Sequence, residues 1–153
     1  AHQDQAGRLT GIEMHGPRWR GFAADSDTSL FQLPGGDGIM PRLTVVGTAI
    51  DALSLASLEG PRGDTLYLAT AGGMGSRTVA TLRALLTRRA RLATVQLVVA
   101  SDADVAGEQY ASLLAELAQA AGVTCERLRP PRALGRWNAI LVRAAGRGHR
   151  HAA

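Results

Sequence analysis

The chain contains no lysine; all 17 of its basic residues are arginine. That absence excludes a receiver-type regulatory domain, which needs a lysine beside its phosphorylatable aspartate, and a P-loop, whose glycine turn ends in Gly-Lys-Ser/Thr. Cysteine is nearly absent too. Cys125 stands alone, which excludes an internal disulfide and a multi-cysteine zinc site and fits a cytoplasmic setting. Aromatic residues make up only 4%, so the core must be built from Ala, Leu and Val. No apolar run reaches membrane-spanning length, because Asp51, Glu59 and Asp64 interrupt the best candidate. What remains is a globular composition, 46% hydrophobic and 20% charged, over 153 residues, enough for one domain with a real core. A net charge of +4 and a pI near 10.5 permit a polyanionic partner, and arginine is the better residue for bidentate phosphate contacts.

Residues 1–42 read as a small β-rich segment, with short strands expected over 9–14, 18–23 and 29–33 and a loop at Pro34-Gly35-Gly36-Asp37-Gly38. From residue 43 strands and helices alternate. Strands are expected over 43–46, 65–69, 94–100 and 123–128, and helices over 49–58, 77–86, 105–121 and 137–144. That order predicts an α/β domain over 43–145, a mostly parallel four-stranded sheet flanked by helices, with a tail at 146–153. Ligands bind such sheets at the carboxyl ends of the strands.

Three segments fall at those ends. The run Val95-Gln96-Leu97-Val98-Val99-Ala100 stops at Ser101-Asp102-Ala103-Asp104. Two carboxylates this close repel, and a divalent cation or a proton relieves them. The alternative is helix capping: Asp104 caps the helix from Val105, with Asp102 near the positive end of its dipole. Val45-Val46-Gly47-Thr48-Ala49-Ile50-Asp51 runs from strand to helix with an acid in the first turn. Thr70-Ala71-Gly72-Gly73-Met74-Gly75-Ser76 precedes a helix, and the amides of Gly72, Gly73 and Gly75 suit either a phosphate or a tight turn. Arg127, Arg129, Arg132 and Arg136 surround Pro130-Pro131, an arrangement that fits a nucleic-acid backbone or a solvated face. Trp137 reads as a core anchor and Cys125 as a small buried residue.

In this order the segments resemble the Toprim domain, the catalytic module shared by bacterial primases, topoisomerases and some nucleases. The resemblance covers residues 43–141. It is carried by Ala49-Ile50-Asp51-Ala52-Leu53-Ser54-Leu55, Gly72-Gly73-Met74-Gly75, Asp102-Ala103-Asp104-Val105-Ala106-Gly107 and Arg136-Trp137-Asn138. Thr10-Gly11-Ile12-Glu13-Met14 and Gly16-Pro17-Arg18-Trp19-Arg20-Gly21 are similar to the segment preceding Toprim in primase-like proteins of plasmids and other mobile elements. The resemblance implies Mg²⁺ (or Mn²⁺) held by Asp102 and Asp104 with help from Asp51. It also implies phosphodiester or nucleotidyl chemistry on nucleic acid, DNA first, within a larger replication or mobilisation protein. Two departures stand out. The family's general acid–base glutamate falls on Gly47, and the aspartate that usually follows Trp-Asn is Ala139. Either the metal carries an impaired enzyme, or the module binds DNA or a protein partner without turnover.

Overall fold

The computed structural model describes residues 2–3, 8–16, 18–24, 26, 29–91 and 94–148. Short strands β1 (His2–Gln3), β2 (Leu9–Gly11), β3 (Glu13–His15), β4 (Arg20–Phe22) and β5 (Leu30–Pro34) lead the chain. The alternating part follows: β6 (Arg42–Val46), α1 (Ala49–Glu59), β7 (Thr65–Ala69), α2 (Ser76–Ala90), β8 (Gln96–Val99), α3 (Val105–Ala120), β9 (Thr124–Arg127) and α4 (Trp137–Gly148).

The sheet order is β2-β1-β5-β7-β6-β8-β9. The four expected strands, β7-β6-β8-β9, are all parallel. The sheet does not stop there. β5 pairs antiparallel with β7, Phe31 opposite Ala69, and β1 and β2 extend it further. β3 and β4 form a separate antiparallel ribbon.

Parallel strands must be covered on both faces, and side-chain alternation does this here. Leu43 and Val45, Leu66 and Leu68, and Leu97 and Val99 face the core shared with Leu82, Leu86, Leu114 and Leu117 of α2 and α3. Val46, Tyr67, Ala69 and Ala100 face the other core with Ala52 and Leu55 of α1 and Trp137 of α4. At the lower end of the sheet Arg42 grips Glu59 with two hydrogen bonds, 2.7 and 2.9 Å, and the Tyr67 hydroxyl donates to the same carboxylate at 2.7 Å. Burial and that contact push the Tyr67 hydroxyl up to about 12.

The largest departures from the sequence expectations are three element boundaries and the burial of one residue, with smaller shifts of one or two residues at other strand ends. The strand expected over 9–14 is split at Ile12 between β2 and β3. α2 runs on to Ala90, because Arg88 and Arg89 suit the last turn of a helix. α4 continues through Gly146 to Gly148, into the expected tail; residues 149–153 lie outside the described residues. Cys125 is exposed, not buried, because β9 is an edge strand whose first three residues face solvent. No helix among the described residues is long and apolar enough to cross a membrane.

Candidate metal and phosphodiester site

At the carboxyl ends of β6 and β8 lies a cleft of about 590 Å³. Gly47 and Asp51 enter it from the β6–α1 turn, Asp102 and Asp104 from the β8–α3 turn, and Arg136 and Asn138 from the start of α4. The two acid-bearing segments therefore converge, as α/β topology requires.

Each acid is held differently. Asp51 is 4% exposed. Its Oδ2 accepts from Thr48 Oγ1 at 2.6 Å and its Oδ1 from the backbone N–H of Asn138 at 3.3 Å, while Thr48 caps α1 by accepting the Asp51 N–H. Asp104 is exposed and caps α3: its Oδ1 accepts the Gly107 N–H at 2.7 Å. The capping interpretation is thus correct for one oxygen of Asp104, and capping leaves its other oxygen uncommitted. Asp102 does no capping. Its Oδ2 lies 3.3 Å from Arg136 Nε, and its Oδ1 is buried with no hydrogen-bond partner. Burial raises the Asp102 pKa first; Asp51 and Asp104 add to this, and Arg136 and Arg127 oppose it.

The turn is built to hold that crowded charge. The Gly107 backbone packs against the Asp102 carbonyl so closely that a Cβ would collide with it. Ser101 Oγ donates to the Gly107 carbonyl at 2.8 Å, and the Ala103 N–H donates to the Gly135 carbonyl at 3.1 Å. Gly72, at φ +77°, donates its N–H to the Gly47 carbonyl at 2.8 Å and so ties the glycine loop to the β6–α1 turn.

Residues 44–141, more than half of the chain, match the Toprim-like family model. The chain belongs to the Toprim-like family. Its fold is similar to the primase fragment of the bacteriophage T7 primase-helicase protein, with 15% identity and a TM-score of 0.57 over 98% of this chain and 59% of that one. A small TOPRIM domain protein from Bacillus stearothermophilus aligns with 23% identity and a TM-score of 0.48, over 69% of this chain and 86% of that one. The chain thus spans 59% of the length of the phage fragment. No curated protein matches it.

On this Toprim-like frame the remaining candidate residues separate. Gly72 lines the acid cleft, whereas Gly73 and Gly75 line a neighbouring polar hollow with Thr70 and Ser76. Arg129 and Arg132 line a second open cleft on the far side of Asp104. Arg129 also holds Glu108 in a two-pronged contact at 2.9 and 3.1 Å, and with Arg127 it keeps that carboxyl below its usual range. Arg127 turns inward, donating to the carbonyls of Val99, Ser101, Asp102 and Leu128 and to Glu108. Glu59 sits with Arg42 at the opposite end of the sheet and cannot stand in for an acid at position 47. A Cβ at Gly47 would meet no heavy atom within 4 Å. Tyr110 and Ser101 also line the cleft without having been singled out. Tyr110 follows Ala106 by four residues and Gly107 by three, which places it on the same face of α3, the one signal that could have flagged it.

Proposed function

We propose that the chain is a magnesium-binding, nucleic-acid-processing Toprim module that acts on phosphodiester or nucleotidyl bonds of DNA. The observation that carries this reading is the buried, unpartnered Oδ1 of Asp102, in a cleft it shares with Asp51 and Asp104. An ionised oxygen without a partner is costly, and a cation is the natural partner for it.

Among the described residues no group of three or more His, Cys, Asp or Glu forms a ready-made metal cage. Mg²⁺ does not require one, because it keeps several waters and commonly uses one or two carboxylates plus substrate phosphates. Asp102 and the free oxygen of Asp104 would hold it, and Mn²⁺ would substitute. When bound, the ion supplies Lewis-acid polarisation of a phosphoryl oxygen. The protein's part is positional: Thr48 and Asn138 fix Asp51, the Gly107 contact fixes the Asp102 backbone, and Arg136 waits at the cleft for phosphate charge. The fold shared with the T7 primase fragment supports this reading, and we place the module in the cytoplasm within a larger replication or mobilisation protein.

Calorimetric titration with Mg²⁺ tests it. The chain is expected to bind Mg²⁺ and Asp102→Ala to lose that binding; absence of binding, or binding untouched by Asp102→Ala, overturns the reading. A second reading, a module that binds DNA or a protein partner without turnover, is favoured by Gly47 and Ala139, which offer no side-chain acid. Magnesium-dependent turnover that Asp102→Ala abolishes would eliminate it.

A further inference from the structure

We propose that Arg136 is an exchangeable counter-ion: it pairs with Asp102 in the metal-free chain, yields the carboxylate to Mg²⁺, and then offers its guanidinium to a substrate phosphate. This rests on the magnesium reading above and adds a coupling between metal and substrate.

Two arginines approach the Asp102 turn, and they are held in opposite ways. Arg127 has a side chain only 15% exposed and donates to four carbonyls and a carboxylate. It cannot leave without dismantling the turn. Arg136 has a side chain 70% exposed, and its ion pair is the single 3.3 Å approach of Nε to Asp102 Oδ2. Its backbone is anchored, since the Ile140 N–H reaches its carbonyl and Gly135 is tied to Ala103. Any movement is therefore confined to the side chain.

The charges give the exchange its direction. Asp102 stands among Asp51 and Asp104 and needs positive charge beside it. A divalent ion supplies twice the charge of a guanidinium at comparable distance. Arg136, once displaced, remains on the lining of the same cleft, where its planar fork suits a phosphodiester oxygen pair. Metal and nucleic acid then favour each other's binding reciprocally.

The test is calorimetric titration of Mg²⁺ into the native chain, Arg136→Ala and Arg136→Lys, each with and without a short oligodeoxythymidylate. Removing the competitor is expected to tighten Mg²⁺ binding by about two- to five-fold, the scale of an exposed ion pair. Misfolding cannot produce that gain. The oligonucleotide is expected to tighten Mg²⁺ binding in the native chain, partly in Arg136→Lys and not in Arg136→Ala. Equal or weaker Mg²⁺ binding by Arg136→Ala, or coupling that survives in it, overturns the exchange and leaves the magnesium reading standing. No Mg²⁺ binding by the native chain overturns both.

Discussion

Trp137 Nε1 donates a buried 2.6 Å hydrogen bond to the carbonyl of Ala100. Ala100 directly precedes Ser101-Asp102, and the next residue after Trp137, Asn138, reaches Asp51 through its backbone N–H. Its side-chain oxygen also accepts from Ser54 of α1. The first turn of α4 is thereby fastened to both acid-bearing strand ends at once, which explains why Arg-Trp-Asn lies so far along the chain from the acids it serves.

Trp137→Phe keeps most of the ring and loses the donor. It is expected to lower unfolding free energy by about 1 kcal/mol and to weaken Mg²⁺ binding through the freed Ala100 carbonyl. Trp137→Ala adds a cavity and is expected to cost about 3–5 kcal/mol. Urea denaturation reads both, and a Phe variant as stable as the native chain would show the bond to be dispensable.

Gly47→Glu introduces an acid where the fold leaves open space. Its packing cost is expected to be less than ~1 kcal/mol, since the added Cβ meets no neighbour, and any larger loss in the metal-free chain comes from repulsion by Asp51, Asp102 and Asp104. If position 47 is the slot for the general acid–base group, Mg²⁺-dependent turnover on single-stranded or duplex DNA should rise by roughly 10²–10⁴. A folded variant with the native rate would show that the slot lies elsewhere.

The raised pKa of Asp102 makes a distinct pH signature. A carboxyl whose folded pKa lies above its unfolded value binds its proton more tightly in the folded state. Its contribution to stability is complete below the unfolded value and is lost as pH rises through the folded one. In the absence of metal, Asp102→Asn is therefore expected to melt at a higher temperature than the native chain at pH 7. The difference should vanish near about pH 3, below the ordinary aspartate pKa. Thermal scans at the two pH values check this, and a lower melting point for the variant at pH 7 contradicts it.

Glu59→Ala removes the carboxylate shared by Arg42 and Tyr67 at the far end of the sheet. Leaving a mostly buried arginine unpaired is expected to cost about 3–5 kcal/mol. Mg²⁺ affinity of the folded fraction should stay unchanged. Denaturation together with calorimetry separates the two readouts, and a change in affinity would reveal coupling along the length of α1.

Much of the parallel half was legible because its signals are local. Val-rich runs ending in Gly47-Thr48 and Asp102-Ala103-Asp104 mark both the strand ends and the helix caps. The antiparallel half was not, because β1 has two residues and its pairing with β5 depends on partners far along the chain. The site divides in the same way. Spacing brought Asp51, Asp102 and Asp104 to one edge. It could not show that Arg127 would be locked inward while Arg136, nine residues later, stays exposed, since that depends on which carbonyls the β8 turn presents. Nor could alternation reveal that β9 would be the last strand, which left Cys125 open to solvent.

β5 lies against β7, a strand whose five residues are all buried. A fragment cut to the family boundary at Thr44 would discard β5 and bare the backbone donors and acceptors of Thr65–Ala69 along an apolar border. Such borders template further pairing and ordered aggregates. Leu30–Pro34 thus serves as a guard rail against self-assembly. At the opposite border β9 guards itself, being only four residues long and charged at Glu126 and Arg127. Trimming this protein to its recognisable core would be expected to expose a strand border that nucleates strand stacking.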